Sequence, residues 1–344
     1  MKKTFQWIRI LVLLLILILA IVFSASFGSA EMSMLDSIKI LFGKIPILGN
    51  FIDTSNISTT YEIIVWKVRL PRILLAALVG AVLAMVGTAF QGVFRNSLAD
   101  PHILGVSAGA ALGATVAMLF GISVNIMGLG SIGLFAFLGA LLTAFLVYSV
   151  AKIGGDVSTT NMLLTGTAMS TMLSAIISLL MTFNNDQISK IYMWTMGSFS
   201  SATWEKVWFI LIVGGIGSIL LYSFSGKLDI MMLGEEDAKS LGIDTDKTRR
   251  NIIIIASLLV AAAVSVSGVI GFVGLIIPHM VRMFVGSNNK AVMPYAFIIG
   301  AIFLLACDTI ARTVAAPTEI AVGIITSIFG APYFIMLVLA RRKS

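Results

Sequence analysis

Long apolar runs, separated by short polar turns, fill most of this 344-residue sequence. A helix needs about 20 mostly apolar residues to cross the hydrocarbon core of a membrane, and the runs do not alternate as barrel strands would. Charged residues make up 11% of the chain, compared with roughly 25% in soluble domains. The sequence therefore predicts an all-α, polytopic membrane protein.

Hydropathy predicts about ten transmembrane helices in a single domain that covers residues 1–344. The expected spans cover about 8–27, 73–93, 103–120, 132–150, 160–183, 207–224, 252–267, 272–285, 292–306 and 320–339. The first run is too long for a signal peptide and has no clear cleavage site, so we interpret it as a retained span. The eighth run is short and contains Pro278, His279 and Arg282, which indicates a broken or tilted helix buried in protein.

Both ends of the sequence are basic, which sets the predicted orientation. The basic residues are Lys2, Lys3 and Arg9 at one end and Arg341, Arg342 and Lys343 at the other. Because cytoplasmic loops are enriched in lysine and arginine, both termini are predicted to be cytoplasmic. The expected location is a membrane that the chain crosses several times. The net charge of +7 follows from this bias, so it does not indicate nucleic-acid binding.

One segment between the sixth and seventh runs is too polar to lie in hydrocarbon. It extends over 227–250 and reads KLDIMMLGEEDAKSLGIDTDKTRR. Counting spans from the N-terminus places it in the cytoplasm. Its pattern predicts one or two short amphipathic helices that contact something in water.

A few basic residues break the orientation rule, because they fall at the predicted outer ends of spans. These residues are Lys67, Arg69, Arg72 and Arg312. They either extend toward lipid headgroups or form a docking surface for an acidic partner. Asp308 lies four residues before Arg312, a spacing that predicts an ion pair on one helix face.

The sequence contains no motif for ATP binding, metalloprotease catalysis or metal binding. We find no G-x-x-x-x-G-K-[ST] phosphate loop and no H-E-x-x-H motif, and no cysteine and histidine cluster with metal-ligand spacing. We therefore predict no metal and no cofactor. A self-contained secondary transporter is disfavoured because ionisable groups are scarce at mid-membrane. An intramembrane enzyme is disfavoured because no catalytic constellation has a suitable spacing.

Small residues in the third run predict close helix packing. Gly105, Gly109 and Gly113 are spaced four residues apart. Small side chains let helix backbones approach, which favours association within a membrane.

Three parts of the chain together resemble the permease subunits of bacterial ABC importers for iron-siderophores, heme and cobalamin (FecCD-type permeases). The first two are 69–114 and 233–243. The third combines SGVIGFVGLIIPHMVRMFVG (267–286), DTIAR (308–312) and GIITSIFGAPYFIMLVL (323–339). The resemblance implies ten spans per subunit and a pair of permease subunits, identical or different. It also implies two separate ATP-binding subunits and an extracytoplasmic substrate-binding protein. The implied cargo is an iron-siderophore, with heme or cobalamin as alternatives, and the implied location is the bacterial plasma (inner) membrane.

The resemblance also implies roles for individual residues. Residues 236–242, which read EDAKSLG, are similar to the E-A-A-x-x-x-G coupling motif, with Asp237 at the second position. The implied ATPase-coupling residues are Leu233, Gly234, Glu235, Glu236, Asp237, Ala238, Leu241 and Gly242. The implied contacts for the binding protein are Arg69, Arg72 and Arg312. The implied cytoplasmic gate is formed by Asn96, Leu98, Thr159 and Thr160, although Ser97 stands where the family usually has proline.

Overall fold

The structure, a computed structural model, describes residues 2–28, 32–44, 53, 57–126, 128–153 and 159–341, and most of these residues are helical. The α-helices are α1 (Lys2–Ser26), α2 (Met34–Gly43), α3 (Thr59–Ile63), α4 (Leu70–Val93), α5 (Val106–Leu119), α6 (Ser131–Ala151), α7 (Thr159–Thr182), α8 (Ile188–Thr195), α9 (Trp204–Ser223), α10 (Ser225–Met231), α11 (Glu235–Ser240), α12 (Thr245–Ser267), α13 (Val273–Val285), α14 (Asn289–Thr313) and α15 (Val322–Arg341). Short elements are a π-helical segment (Ile64–Arg69), two 3₁₀ turns (Pro101–Leu104 and Asn185–Gln187) and an antiparallel pair, β1 (Asn125–Ile126) with β2 (Leu129–Gly130).

The apolar helices match the predicted runs in position. Seven helical stretches in the described part are long and apolar enough to cross a membrane, and three apolar helices, in α5, α13 and α15, are shorter. The all-α, polytopic class is therefore confirmed. The count of ten spans and the side on which the termini lie stay predictions. Of the C-terminal basic residues, Arg342 and Lys343 lie outside the described residues.

The second helix begins earlier than the sequence predicted. The helical stretch starts at Thr59 and is continuous to Val93, not only from residue 73. Pro71 has no N–H, and its ring would clash with the carbonyl four residues earlier in a regular α-helix. The backbone N–H of Leu70 instead bonds the carbonyl of Val65, five residues back. This local π-helical winding lets the helix pass through the proline.

Helix α4 is the central element of the bundle. Nearly all of its side chains are buried. Gly80 faces the backbone of Gly300 in α14, and Gly87 faces the backbone of Gly274 in α13, so closely that a Cβ at either position would overlap the neighbour. Contact between backbones is the packing mode that small residues permit in membranes.

The directions of α1 and α14 define two ends of the molecule. Tyr295 donates a hydrogen bond to the carbonyl of Gln6, and Ser24 bonds Thr309, so the two helices run side by side. We call the end that carries α10 and α11 the coupling end, after the role that the resemblance implies for this segment. We call the opposite end, which carries Arg69, Arg72 and Arg312, the arginine end.

A non-helical stretch separates α12 from α13. Helix α12 ends at Ser267, and α13 begins only at Val273 and is 13 residues long. Across from this break, the N–H of Ser198 donates to Ser267 O at 2.8 Å, and the N–H of Val322 donates to Gly197 O at 3.0 Å. The predicted helix is short and its first half is buried, but it is continuous from Val273 to Val285 and is not broken at Pro278. The irregular backbone lies before it and is hydrogen-bonded within protein, as a membrane requires.

The predicted glycine stripe lies between α5 and α6. A Cβ at Gly109 would overlap Thr143 and the Gly139 carbonyl, and a Cβ at Gly113 would overlap the Phe135 carbonyl. Gly105 precedes α5 and has a φ of 70°, a left-handed conformation that glycine adopts without strain.

Candidate functional site

Arg72 forms the centre of a buried ion cluster at the arginine end. Its Nε lies 3.1 Å from both carboxylate oxygens of Asp308, and its Nη2 lies 2.9 Å from Asp308 Oδ1. Its Nη1 contacts both oxygens of Glu319 at 2.8 and 2.9 Å. The planar guanidinium thus binds two carboxylates at once, which is the geometry that favours arginine over lysine at paired sites.

Arg312 and Arg69 complete the cluster by binding the end of α1. Arg312 donates to the carbonyls of Ser24 and Phe27, and Arg69 Nη1 donates to Ala25 O at 2.9 Å. The last carbonyls of a helix carry partial negative charge, which favours cations there. The predicted Arg312–Asp308 pair is present at 3.8 Å.

The structure corrects the expected exposure of these arginines. Both sequence interpretations placed the side chains at a surface, yet Arg69, Arg72 and Arg312 are 4, 8 and 6% exposed. They can be buried because Asp308, Glu319 and the carbonyls at the end of α1 balance their charges and accept hydrogen bonds from most of their N–H groups. The exposed member of the cluster is Glu319, whose side chain is 45% accessible. Sequence reasoning missed Glu319, since its partner lies 247 positions away.

At the coupling end, α11 is a short helix within the polar segment 227–250. It begins after Gly234, which has a φ of 157°, and ends before Gly242, which has a φ of 79°. The N–H of Gly242 bonds Lys239 O, and the N–H of Ile243 bonds Ala238 O. This pair of bonds is the Schellman motif, which closes a helix on a left-handed glycine.

Ion pairs hold α11 against the start of α12. Glu235 contacts Lys239 Nζ and Arg249 Nη2, each at 3.2 Å, and Arg249 also contacts Asp246 at 3.2 Å. Partial burial raises the pKa of Glu235, but the hydrogen bonds and charges of Lys239 and Arg249 outweigh burial and leave the pKa below its ordinary value. The carboxylate is therefore kept ionised, and the helix stays attached.

The opposite face of α11 is free of the bundle. Ala238 is fully buried, whereas Glu236 and Asp237 are exposed. Leu233 and Leu241, which flank the helix, are 69 and 62% exposed. Two exposed leucines beside two exposed carboxylates form a small mixed surface, which is suited to a reversible protein contact.

A second cluster connects α10 to α13 and α14, and sequence reasoning missed it. Asp229 of α10 accepts hydrogen bonds from the backbone N–H and the side-chain amide of Asn289, at 2.6 and 2.8 Å. Arg282 of α13 donates to Asn289 Oδ1 at 2.9 Å. The fully buried Asn289 therefore joins α10, α13 and α14. A lone asparagine gives no local signal for such a role.

The predicted gate residues lie near α7, but the structure does not show them in mutual contact. Asn96 Oδ1 accepts the N–H of Leu98 at 2.9 Å, which forms a tight turn after α4. The following 3₁₀ turn packs on α7, where Ile103 O lies against Gly166. Thr160 is exposed in the first turn of α7; of Thr159, the described part includes only the backbone.

An exposed row of hydroxyl groups runs along α7. Its members are Thr167, Thr171, Ser174, Ser178 and Thr182. Four of them donate to the carbonyl four residues earlier, at distances of 2.8 to 3.0 Å. The spacing places all five on one helix face, so α7 presents hydrogen-bond acceptors in a region where its other exposed side chains are apolar.

The described residues include seven membrane-length helices, a glycine-packed core and a polar segment that ion pairs join to it. These features define a polytopic helical membrane protein. Residues 15–340 match the model of the FecCD transport family. The chain belongs to this family, whose relatives below are permease subunits of ABC transporters.

Similarity to individual proteins covers most of the chain. It is 44% identical over 283 residues to a cobalamin import system permease of Halobacterium salinarum, covering 82% of this chain and 75% of that one. It is 38% identical over 287 residues to a hemin transport system permease of Yersinia pestis, covering 81% of this chain and 84% of that one. A solved inward-facing structure, assigned to the metal-chelate type of ABC transporter, is 34% identical to this chain and has a TM-score of 0.80. The match covers 96% of this chain and 99% of that one. Other relatives are named for molybdate and Fe(3+)-citrate import.

Proposed function

We propose that this permease carries an iron-siderophore complex inward across the bacterial plasma membrane. Two separate ATP-binding subunits would drive it, and an extracytoplasmic binding protein would deliver the cargo to a pair of permease subunits in the lipid bilayer. Relatives named for hemin and Fe(3+)-citrate support an iron chelate. The relative named for cobalamin keeps heme and cobalamin as the alternatives.

The observation that carries this proposal is the exposed face of α11. The chain has no phosphate loop, so energy from ATP must reach it through contact with another protein. Leu233, Glu236, Asp237 and Leu241 present a compact surface. Below that surface, Glu235 and Arg249 fix α11 to α12 at 3.2 Å. Movement of a docked ATPase would thus be transmitted to α12 directly.

The orientation follows from the same assignment. With ten spans and both termini cytoplasmic, the coupling end faces the cytoplasm and the arginine end faces outward. The proposed cytoplasmic gate consists of Asn96, Leu98, Thr159 and Thr160. The hydroxyl row on α7 would supply hydrogen-bond acceptors along the path of a polar chelate.

A charge-reversal experiment tests the coupling proposal. Glu236→Lys with Asp237→Lys, in the complex reconstituted with its ATPase, should reduce ATP-dependent uptake at least tenfold while the permease stays folded. Asp186→Lys, also exposed but outside the coupling segment, is the matched control and should retain uptake. Normal uptake by the double variant would remove the basis for assigning α11 to coupling.

Cargo is identified by separate arms of the same assay. Proteoliposomes with the cognate binding protein are supplied with a ferric siderophore, hemin or cobalamin, and ATP-dependent accumulation is measured for each. We expect accumulation of the ferric siderophore. Accumulation of hemin or cobalamin alone would keep the importer assignment and replace the cargo.

Docking of the binding protein is proposed at the arginine end, through Arg69, Arg72 and Arg312. Since Glu319 occupies the outward side of Arg72 at 2.8 Å, an incoming carboxylate would have to replace it. Glu319→Gln should therefore strengthen docking of the binding protein, measured by titration in nanodiscs. Weaker or unchanged docking would mean that Arg72 does not take part in it.

A further inference from the structure

A cavity of about 550 Å³ at the arginine end is independent of the coupling and docking sites. It lies between the first turns of α6 and α9, helix α8 and the last turn of α12. Trp66 stacks on Trp204 at 6.4 Å between ring centroids. This contact places the start of α9 at the level of the π-helical segment that precedes α4.

The cavity is lined by basic and hydroxyl groups. Lys190 and Lys206 supply two ammonium groups, and hydroxyls come from Ser131, Ser198, Ser200, Ser201, Ser265 and Ser267. Its lining includes no acidic side chain, and within the described part of the chain neither lysine forms a salt bridge. Such a lining attracts an anion, because it contains two positive charges and no carboxylate that would neutralise them.

Lys206 is held in place rather than free to extend into water. Its Nζ donates to both the carbonyl and the hydroxyl of Ser201 at 2.8 Å. An ammonium group has three N–H donors, so one donor remains for a ligand. The half-buried position of Lys206 reduces solvent screening and strengthens its attraction for an anion.

The rest of the surroundings fits an amphiphile. Met118, Met193 and Trp194 form an apolar wall of the cavity. Helices α6 and α9 lead away from it with large exposed apolar side chains, among them Leu142 and Ile212. A lysine beside a tryptophan at the end of an apolar helix is the arrangement that meets lipid headgroups.

We propose that this cavity binds the phosphate group of an anionic phospholipid, with the acyl chains lying along α6 and α9. The phosphate contacts Lys190 and Lys206 and accepts hydrogen bonds from the serine hydroxyls that face it. In the proposed orientation this lipid belongs to the outer leaflet. The binding chemistry itself does not depend on that orientation or on the cargo. A soluble organic phosphate offers the same head chemistry without the chains.

Native mass spectrometry of the full chain in detergent tests the proposal. Phosphatidylglycerol and phosphatidylcholine are titrated separately into the wild-type chain, a Lys190→Gln/Lys206→Gln variant, and the control Lys152→Gln at an exposed position in the opposite half of the bundle. Each lysine near an anionic surface is worth about fivefold in affinity, so the double variant should bind phosphatidylglycerol about 30-fold more weakly. The control should bind like wild type. A matching elution volume and melting temperature show that the variant is folded.

A parallel arm titrates sn-glycerol 3-phosphate in place of lipid. Weak or absent binding of this anion, with lysine-dependent binding of phosphatidylglycerol, supports the lipid as the ligand. Tight lysine-dependent binding of glycerol phosphate alone would replace the lipid by a soluble phosphate. Equal binding of phosphatidylglycerol by the wild type and the folded double variant would overturn the site.

Discussion

Replacing Asp308 by alanine tests whether the buried ion cluster stabilises the arginine end. The Asp308 side chain is 0% exposed and takes three hydrogen-bond contacts from Arg72, at 2.9 to 3.1 Å. Removing one partner of a buried pair costs about 3–5 kcal/mol, because the remaining charge has lost its counter-ion. Arg72 would keep Glu319, so we expect about 3 kcal/mol, the lower end of that range.

The matched control is Glu319→Ala, because Glu319 binds the same guanidinium from a half-exposed position. Solvent screening limits an exposed pair to about 1 kcal/mol or less. Thermal unfolding in one detergent, followed by circular dichroism, should therefore give a melting temperature that falls several times further for Asp308→Ala than for Glu319→Ala. Equal shifts for the two variants would refute the argument that burial sets the strength of this cluster.

Two further predictions concern packing and pH. Gly113→Ala would place a Cβ against the Phe135 carbonyl, so it should destabilise the chain by about 1–3 kcal/mol. Gly215→Ala, in open space on α9, should be neutral or stabilising by up to about 1 kcal/mol. Thermal unfolding of the two variants distinguishes these outcomes. Because the pKa of Glu235 is lowered in the folded state, its pairing stabilises α11 above the unfolded pKa of about 4.3. This stabilisation is lost as pH falls through the lower folded pKa, and faster hydrogen exchange in α11 should report the loss. Glu235→Gln should remove this pH dependence of exchange. An unchanged pH dependence in that variant would contradict the role of Glu235.

Features that depend on near neighbours could be predicted from the sequence. The apolar helices appear where hydropathy placed them, because spanning length and composition are local properties. Gly242 ends α11 because a left-handed residue is needed there, and glycine at that position gives a readable signal. The short α13 was foreseen from its proline and polar residues for the same reason.

Features that depend on distant partners could not be predicted in this way. Asp308 was paired with Arg312 because four-residue spacing is visible in a sequence, yet its closer partner is Arg72, 236 positions away. The burial of the three arginines follows from Glu319 and the carbonyls at the end of α1, which only the packed helices bring together. The spacing of the hydroxyl residues in α7 is visible in the sequence. Only their exposure in the structure shows that this helix face is not packed against a neighbouring helix.

The packing of α4 determines how its two ends can affect each other. Arg72 in its first turn belongs to the ion cluster at the arginine end, while Gly87, about four turns later, packs on α13 beside Gly274. A 24-residue helix is about 36 Å long, and the contact of Gly80 with the backbone of Gly300 leaves no room for side-chain rearrangement between α4 and α14. If an incoming carboxylate replaced Glu319 and shifted Arg72, α4 and α14 would therefore move as one unit. Since Asn289 joins the start of α14 to α10, that movement would reach the coupling end without any local unfolding.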